Sequence, residues 1–513
     1  VRAPLRDVPP AAIDALHTQF SHGNAFGQKL AAALALLRNL AIVSGGPGTG
    51  KTTTVVKLMA CLLAADAECR IALAAPTGKA AARLAEAIAA FRSDAAPALR
   101  DRLPIDVSTV HRLLGVHANG RGFRHDADNP LPFDVVVIDE ASMLDLALAT
   151  HLMEAVPKGA RVLLVGDKDQ LSAVEAGAVF AELSSGVAFS AGCAKALAAL
   201  TGLPRDAIGA MSDGGHGALR DGVVWLTENF RFARDSGIGR VATAVNAGDA
   251  TAAIAALHAG TATNIRWIVD ASSTPATDTL TTIASGYADY VETLREHTPD
   301  PMRAFAAFGR FRVLCAERRG PRGAQGVNAA MVRLVREALD RDVAATMSDD
   351  DAWFAGRPVM VRANDYLQNL YNGDVGIALP DDDGAMWIWF ATADGGFRAV
   401  APARLPAHET SFATTVHKAQ GSEFDDVVLL LPAHASRVVT RELVYTAITR
   451  ARRKATIAAG ADALEAAIAT PTLRASGLTD RIAEALSLAP PPAAPSPSPP
   501  SSRPSKWRQQ SLF

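Results

Sequence analysis

The stretch that most constrains the fold is "SGGPGTGKTTT", Ser44 to Thr54. It follows the apolar run "LAIV" and precedes a segment of helical pattern that runs from Lys51 to about Leu63. Glycines at such a junction let backbone N–H groups curl around phosphate oxygens, and the helix N-terminus adds positive potential. Lys51 would reach the β- and γ-phosphates, and Thr52 would hold Mg²⁺ through its hydroxyl. The sequence therefore predicts a strand, a phosphate-binding loop and a helix in direct succession.

Other apolar runs repeat this alternation. "RIALAAPT", "FDVVVIDE", "ARVLLVGD" and "GVVWLTENFR" are separated by helical or irregular segments. After about Phe232 a second series begins, with "FRVLCAE", "SFATTVH", "DDVVLLLP" and "KATIAAG". Continuous apolar runs separated by helices are typical of parallel sheets covered on both faces. We therefore predict an α/β fold with two such units, and a helical excursion with a mobile loop in the first, between Ser184 and Asp221.

The pattern of apolar runs changes between Arg357 and Leu405. "RPVMVRAND", "NGDVGIALP", "AMWIWFATA" and "FRAVAP" are short, lack a helical pattern and are separated by turn residues. This arrangement predicts a small antiparallel barrel inserted into the second unit. The tail from about Ala489 is rich in proline and serine and is expected to be disordered and extended.

Composition narrows the function classes only a little. The 51 basic and 53 acidic residues give a net charge of −2, so any nucleic-acid surface must be basic only locally. The four cysteines show no CxxC or CxxH spacing, which indicates idle thiols in a reducing cytosol. No apolar run approaches the roughly 20 residues of a membrane span, and no signal peptide is evident. We therefore expect a cytoplasmic protein without membrane contact.

Two acids end the buried run "VVVIDEAS". Asp139 suits the coordination shell of Mg²⁺, and Glu140 suits the base that aligns or deprotonates the attacking water. Such a pair indicates hydrolysis rather than transfer to a second substrate. In "LLVGDKDQL", Gln170 is a candidate contact of the γ-phosphate, although Asp167 in the same stretch would equally cap the following turn.

Arginines supply candidates for stabilising the transferred phosphate. Arg231 ends the run "LTENFR", where it would otherwise be an ordinary surface arginine. "RELVYTAITRARR" is read as a helical stretch that ends in three arginines, and an arginine finger there would stabilise the transition state. Arg450 is the preferred finger, whereas Arg452 and Arg453 are expected to be solvated.

Three further stretches, "APTGKAAARL", "STVHRLLG" and "TTVHKAQGSEF", combine hydroxyls, basic side chains and predicted helix starts. These are the groups that hold phosphodiesters in nucleic-acid complexes. The histidines, taken alone, are better explained as structural residues, and no His/Cys cluster indicates a metal other than Mg²⁺. The candidate DNA contacts are Thr77, Lys79, Thr109, His111, Thr415, His417 and Lys418.

Taken in order, these stretches resemble the helicase motifs of superfamily 1, from "GGPGTGKTT" through "VVIDEASMLD" to "VYTAITRARR". "TVHRLLG", "DKDQLSAVEAG" and "NGDVG" are similar to the RecD branch of that superfamily. The stretch after "AGAVFAEL", with "LAALTG" and then a Gly-rich loop, resembles the RecD family proper, the alpha subunits of exodeoxyribonuclease V (RecBCD). The resemblance implies two RecA-like domains with ATP and Mg²⁺ between them, and 5′→3′ translocation on single-stranded DNA at duplex ends. It also implies RecB-like and RecC-like partner subunits, one of which would carry the nuclease activity.

The resemblance assigns further roles. Gln28 matches the position that reads adenine, and Arg231 and Arg450 match the two γ-phosphate arginines. The inserted barrel would have an SH3-like fold. The nucleotide-binding set is Gln28, Gly45, Gly46, Pro47, Gly48, Thr49, Gly50, Lys51, Thr52 and Thr53. The expected division is 1–235 for domain 1A with a small 1B ribbon at about 116–131, 236–356 and 406–485 for domain 2A, 357–405 for the SH3-like domain 2B, and 486–513 for the tail.

Two alternative functions and two further questions stay open at this point. One is a stand-alone RecD-like helicase, although such helicases carry a longer N-terminal region with helix-hairpin-helix repeats that is not seen in this sequence. The other is a P-loop regulator that binds DNA without walking, against which the intact set of Glu140, Gln170 and Arg450 argues. Family members usually carry a further N-terminal domain, so the 44 residues before Gly45 suggest altered assembly or a fragment. Finally, "QQSLF", Gln509 to Phe513, resembles peptides that dock on the bacterial sliding clamp, although a chance match at a disordered end explains it as well.

Overall fold

The computed structural model describes twelve stretches of the chain. They are residues 5–21, 26–117, 122–172, 177–212, 219–231, 236–259, 264–296, 298–339, 353–365, 367–392, 395–472 and 476–485.

The first α/β unit is built on six parallel strands. Its strands are β1 (Leu40–Gly45), β2 (Ile71–Ala75), β3 (Val107–Thr109), β4 (Val135–Ile138), β5 (Arg161–Gly166) and β6 (Val223–Leu226). Its helices are α1 (Pro10–Gln19), α2 (Phe26–Leu37), α3 (Lys51–Ala65), α4 (Gly78–Asp94), α5 (Pro97–Arg100), α6 (Val110–Leu114), α7 (Leu146–Ala155), α8 (Val179–Leu183), α9 (Ala191–Thr201) and α10 (Arg205–Ala210). The strand order is β3-β2-β4-β5-β1-β6.

Alternate residues of the central strands enter two different cores. Val135 and Val137 of β4 pack with α2 and α3 on one face, whereas Val136 and Ile138 pack with α6 and α7 on the other. Since successive side chains of a strand point to opposite faces, this division accounts for the continuous apolar runs. The sheet is therefore covered on both sides, as predicted.

The remaining strands are β7 (Ile265–Val269), β8 (Phe311–Cys315), β9 (Pro358–Val361), β10 (Val375–Pro380), β11 (Met386–Ala391), β12 (Phe397–Val400), β13 (His408–Thr410), β14 (Ala413–Thr415), β15 (Phe424–Leu430) and β16 (Ala451–Ala459). The remaining helices are α11 (Gly237–Ala247), α12 (Ala250–His258), α13 (Thr277–Gly286), α14 (Ala288–Thr293), α15 (Pro301–Phe308), α16 (Ala324–Ala338), α17 (Arg441–Ile448), α18 (Ala461–Ala469) and α19 (Leu478–Ala485).

The second unit is a five-stranded parallel sheet in the order β14-β8-β15-β16-β7. Two parallel α/β sheets confirm the predicted fold class. The edge strands β3 and β7 are additions, because neither stood among the predicted runs. The "TRARR" stretch also differs from the helical interpretation: α17 ends at Ile448, and Arg452 and Arg453 already belong to β16.

The inserted segment forms a separate antiparallel sheet in the order β12-β11-β10-β9-β13. Its apolar residues, among them Val359, Ile388 and Phe390, make a small core of their own. The sheet also takes in β13, which lies beyond residue 405. Its likeness to an SH3 barrel stays a prediction.

Two expectations fall partly or wholly outside the described ranges. The Ser184–Asp221 excursion contains α9 and α10 as helices, but residues 213–218 are not described. The tail from 486 onward, including Gln509 to Phe513, also lies outside the described residues. Among the helices that the structure describes, none is both long and apolar enough to cross a membrane.

Candidate active site

The loop between β1 and α3 depends on two glycines. Gly48 and Gly50 have φ angles of 82° and 77°, in the left-handed region that side chains other than glycine rarely adopt. A Cβ atom on Gly48 would lie 2.5 Å from the Cβ of Arg231, and one on Gly50 would lie 2.1 Å from Nε2 of Gln28. The loop therefore holds its curled shape because glycine gives both the torsion and the close approach of neighbouring chains.

Lys51 and Thr52 lie at the start of α3, beside the acids that end β4. The Lys51 ammonium donates hydrogen bonds to the carbonyl oxygens of Gly45 (2.6 Å) and Gly46 (3.1 Å). The Thr52 hydroxyl lies 3.5 Å from Oδ2 of Asp139. Hydroxyl and carboxylate oxygens are the ligands that Mg²⁺ prefers, so these two side chains fit the predicted ion.

Asp139 and Glu140 occupy different environments although they are adjacent. Burial and the neighbouring Glu140 carboxylate raise the pKa of Asp139 to about 6, against the attraction of Lys51. Glu140 has a φ of 52°, and its backbone N–H donates to Oδ1 of Asp139 at 2.9 Å. Within the described residues, Oε2 of Glu140 is buried without a hydrogen-bond partner. An unpaired carboxylate oxygen that lines a cavity suits the predicted contact with water.

The described part of the chain encloses a cavity of about 410 Å³ between the two α/β units. The first unit lines it with the phosphate loop, the β4 acids, Arg83, Gln170 and Arg231, and the second unit with Gly421, Glu423 and Arg450. All five predicted catalytic residues therefore meet here: Lys51, Glu140, Gln170, Arg231 and Arg450. Residues that are 399 positions apart in sequence line one cavity because the segments directly before β15 and β16 of the second unit face the phosphate loop of the first.

The predicted phosphate sensors are held by neighbours. Arg450 is 2% exposed, and its Nε donates to the Thr446 carbonyl at 3.2 Å. Gln170 donates from Nε2 to Oδ2 of Asp167 at 2.9 Å, while Oδ1 of Asp167 accepts the Asp169 N–H at 3.1 Å. Asp167 thus caps its turn and orients Gln170, so the two interpretations of this stretch are compatible.

A second, smaller cavity of about 120 Å³ adjoins the phosphate loop. Its walls include Phe26, Gln28 and Phe230, and Gln28 donates from Nε2 to the Thr49 carbonyl at 3.1 Å. Two aromatic rings and a positioned carboxamide are groups that recognise a planar base. Its place next to the loop agrees with the adenine-reading role that the resemblance gives to Gln28.

The other loop residues are fixed by contacts within and across the loop. The Thr49 hydroxyl donates to the Gly46 carbonyl at 2.8 Å, and Asn229 donates from Nδ2 to the Pro47 carbonyl at 2.8 Å. Thr53 lines the larger cavity. A Cβ on Gly46 would lie 2.8 Å from the hydroxyl of Tyr445, so the second unit reaches the loop itself.

Glu423 and Arg83, which the sequence analysis did not select, form an ion pair in the cleft between the two units, where both line the larger cavity. Glu423, directly before β15, forms ion pairs with Arg83 of α4 and with Arg231, both at 2.8 Å. Arg452 adds a third contact, with its Nε 3.2 Å from Oε2 of Glu423. The only local signal was an acid within "GSEF", since its partners stand far away along the chain.

The candidate DNA contacts begin at the carboxyl ends of adjacent strands. Ala75 of β2 pairs in register with Thr109 of β3. The Thr77 hydroxyl accepts the Ala80 N–H that starts α4, and the Thr109 hydroxyl accepts the Arg112 N–H that starts α6. Both threonines therefore cap helices, which leaves the helix-start amides at this edge.

The remaining candidates lie where the two units and the insertion meet. A Cβ on Gly421 would lie 3.6 Å from the Thr77 hydroxyl, so the "TTVHKAQGSEF" turn faces α4. Burial, and then the charge of Arg312, lowers the pKa of Lys79 to about 8. Lys418 forms an ion pair with Glu409 of β13.

The other three candidates are Thr415 and His417, which are partly buried, and His111, whose ring contacts another aromatic ring. The Thr415 hydroxyl accepts the Lys418 N–H at 3.4 Å, and His417 lies in the short turn that follows β14. The His111 ring faces Phe123 of the predicted 1B ribbon, with centroids 5.9 Å apart. Val116 and Phe123 form an antiparallel bridge, whereas residues 118–121 between them are not described.

Comparison with known proteins shows to which family the chain belongs. Residues 28–176 match the family model of an AAA domain, and residues 410–458 match that of a UvrD-like helicase C-terminal domain. The chain is 38% identical over 464 residues to the RecBCD enzyme subunit RecD of Mycolicibacterium smegmatis, covering 89% of this chain and 74% of that one. The chain belongs to the RecD family. A second RecD family member, from Haemophilus influenzae, is 34% identical over 478 residues, covering 88% and 71% of the two chains.

Two more distant relatives complete the comparison. The ATP-dependent RecD2 DNA helicase of Deinococcus radiodurans is 31% identical over 452 residues, which are 86% of this RecD-family chain but 50% of that protein. Among solved structures, a Pif1 helicase from Bacteroides in complex with ADP-AlF3 and ssDNA is 16% identical with a TM-score of 0.44, covering 87% and 94% of the two chains.

Proposed function

We propose that this chain is an ATP-dependent 5′→3′ DNA helicase and translocase, the motor subunit of a RecBCD-type exonuclease V complex in double-strand break repair and recombination. Membership of the RecD family supports the assignment. The observation that carries it is the shared cavity, where Arg450 of the second unit faces the phosphate loop of the first. A nucleotide bound there would touch both units, so its hydrolysis would change how they meet.

The chemistry follows from the groups in the cavity. Lys51 exchanges its two carbonyl partners for phosphate oxygens, which are stronger acceptors because they are charged. Thr52 and Asp139 would hold Mg²⁺, which would supply positive charge against the phosphates. Glu140 presents its unpaired oxygen to the attacking water, and Arg450, Arg231 and Gln170 face the charge that develops on the terminal phosphate. A module that only bound DNA would not need this hydrolytic set.

Single-stranded DNA is the track in this proposal. The helix-start amides after Thr77 and Thr109, with Lys79, Lys418 and the neighbouring histidines, contact the phosphodiester backbone rather than the bases. Contacts of that kind tolerate any sequence and weaken as salt rises. Thr77 belongs to the first unit and Lys418 to the second. When the two units close or open around the nucleotide, the DNA contacts of one unit therefore move relative to those of the other.

The partner subunits belong to the same proposal. RecB-like and RecC-like chains would complete a cytoplasmic heterotrimer on duplex ends and would supply the nuclease. The alternative is a stand-alone RecD-like helicase, and the Deinococcus relative bears the name of a RecD2 DNA helicase. The RecBCD subunit of Mycolicibacterium smegmatis is 38% identical and covered over 74% of its length, against 31% and 50% for the Deinococcus helicase, which favours the first assignment. Co-purification of the tagged chain with two large partners separates the two cases.

The first test is the steady-state ATPase rate with and without single-stranded DNA. We expect strong stimulation by DNA in the natural chain, and its loss in Lys51→Ala, because that ammonium holds the phosphates. Lys195→Ala removes an exposed lysine from α9 and should keep the natural rate. A rate that DNA does not change, both alone and with the partner subunits added, would refute the translocase.

A second binding activity is proposed for the C-terminal pentapeptide. Gln509 to Phe513 has the polar start and the Leu-Phe end of peptides that dock on the sliding clamp, and it follows a stretch rich in proline and serine. A synthetic peptide of this tail should retain the clamp in a pull-down, and alanine at Leu512 and Phe513 should abolish retention. Equal retention of both peptides would contradict the proposal.

A further inference from the structure

Glu423 is the acidic centre of an arginine cluster in the cleft wall. Both of its carboxylate oxygens lie 2.8 Å from Nη2 of Arg231. Oε1 also lies 2.8 Å from Nη2 of Arg83, and Oε2 lies 3.2 Å from Nε of Arg452. The glutamate side chain is only 11% exposed. These contacts are charge-assisted hydrogen bonds in a poorly solvated place, where they are stronger than on an open surface.

The cluster carries more positive charge than Glu423 neutralises. Burial favours the neutral acid, but the guanidinium groups of Arg83 and Arg231 outweigh it and lower the pKa of Glu423 to about 2. The carboxylate is therefore ionised at neutral pH and faces three permanently charged guanidinium groups. Within the described residues, Nη1 of Arg231 is also buried without a hydrogen-bond partner. The cluster thus keeps both charge and a donor for a further anion.

The contacts of Glu423 cross the interface between the two units. Glu423 precedes β15 of the second unit, whereas Arg83 lies on α4 and Arg231 follows β6 of the first. All three residues line the cavity that holds Lys51 and the phosphate loop. Among the described residues, four basic and three acidic side chains line this cavity, so Glu423 is one of its three acids.

We propose that Glu423 is a positioning residue that competes with the terminal phosphate of a nucleoside triphosphate for Arg231. The inference rests on the proposed function, since it concerns the same nucleotide site. A carboxylate and a phosphate both match the forked geometry of a guanidinium group, so one arginine cannot serve both fully at once. A triphosphate therefore has to displace Glu423 from Arg231, whereas a diphosphate, which lacks the terminal phosphate, leaves the pair intact.

Glu423 accordingly lowers the affinity for triphosphate and leaves the affinity for diphosphate nearly unchanged. The displacement also breaks one tie between the two units at the moment when the terminal phosphate creates another through Arg450. Arg83, which has no assigned phosphate role, retains Glu423 in the meantime and keeps the carboxylate close for its return after product release. The glutamate thus links nucleotide discrimination to the closure of the cleft.

Equilibrium binding of fluorescent ATPγS and ADP to the full chain tests this inference. Glu423→Gln keeps the shape and removes the charge, and we expect it to bind ATPγS about tenfold more tightly, within the usual range of coupling between sites. Its affinity for ADP should change less than threefold. Glu423→Asp keeps a carboxylate on a shorter side chain and should give an intermediate affinity for ATPγS.

The controls separate this inference from the proposed function. Glu292→Gln removes the same charge from a glutamate whose side chain is 78% exposed on α14, and both affinities should stay as in the natural chain. Lys51→Ala should lose both ligands. If Glu423→Gln binds ATPγS no more tightly than the natural chain, or if both ligands weaken together, Glu423 is only structural and the inference fails. If the natural chain binds neither ligand, the proposed function fails and this inference falls with it.

Should Glu423→Gln fail to fold, as judged by its thermal unfolding, Glu423→Asp still decides the question. An aspartate that folds normally and binds ATPγS as weakly as the natural chain, or more weakly, contradicts a competition set by the reach of the carboxylate.

Discussion

Replacing Arg450 by alanine should nearly abolish ATP hydrolysis while leaving nucleotide binding largely intact. The guanidinium is buried, lines the cavity opposite Lys51, and is aimed by hydrogen bonds to the carbonyls of Thr446 (3.2 Å) and Ser422 (3.4 Å). A fixed positive charge in such a place stabilises the charge that grows on the phosphate in the transition state without further reorganisation. Alanine removes that charge and both aiming contacts.

The magnitude follows from what arginine fingers contribute. A loss of about 10³–10⁵ in kcat corresponds to about 4–7 kcal/mol of transition-state stabilisation. The ground-state contact with the terminal phosphate is weaker, so KM should rise by no more than about tenfold. Arg450→Lys keeps a point charge but lacks the fork, and we expect it to recover only part of the rate.

The assay is the DNA-stimulated ATPase rate over a range of ATP concentrations, so that kcat and KM are separated. Arg453→Ala is the matched control, because Arg453 lies three residues further on, is exposed, and does not line the cavity. The reasoning is refuted if Arg450→Ala keeps more than a tenth of the natural kcat, or if Arg453→Ala loses as much as Arg450→Ala.

Two further predictions concern the acids. Glu140→Gln should lower kcat by about 10²–10⁴ with nucleotide affinity unchanged, because the amide keeps the shape but cannot accept a proton; single-turnover hydrolysis and ATPγS binding measure the two effects separately. Asp270→Ala should cost about 3–5 kcal/mol of unfolding free energy in urea, since it strands buried Arg322, whose Nη1 lies 3.0 Å from Oδ2 of Asp270. Burial raises the pKa of Asp270, but hydrogen bonds from the Ala276 N–H and Thr279 outweigh it and lower the pKa from 3.8 to about 2. Because the folded pKa is depressed, this stabilisation is present above about pH 4 and is lost as the pH falls through 2. A urea midpoint that is equally pH-sensitive in Asp270→Ala would contradict it.

The sequence predicted those parts of the fold that local pattern determines. Buried central strands such as β1 and β4 are continuous apolar runs because both of their faces are covered. The edge strands β3 and β7 escaped prediction for the complementary reason. β3 has only three residues, and β7 is interrupted by exposed Arg266 and has only two buried residues, so neither forms a continuous buried run. Their place in the sheet depends on a neighbour that is distant in sequence.

The same limit applies to the site. Lys51, Asp139 and Glu140 were predictable because each stands in a fixed relation to its own strand or helix. Glu423 was not, because its role depends on Arg83 and Arg231, which stand 340 and 192 positions away. Charge clusters built across domains leave no local period or spacing to detect. For Thr77 and Thr109 the local sequence has a different limit. A threonine at a helix start suits both a helix cap and a phosphate contact, so the pattern alone does not separate the two roles.

Helix α4 connects the edge proposed to bind DNA with the nucleotide cavity. It begins at its Thr77 cap, on the edge assigned to DNA, and six residues later Arg83 reaches the nucleotide cavity, about 9 Å along the axis. There its guanidinium holds both the Gly421 carbonyl and Glu423 of the opposite unit. A DNA strand that pulls on the amides after Thr77 would therefore move Arg83 directly, because one continuous helix carries both groups. In the proposed mechanism, DNA then acts on the nucleotide site without a relay through the core, because fewer than two helical turns separate Thr77 from Arg83.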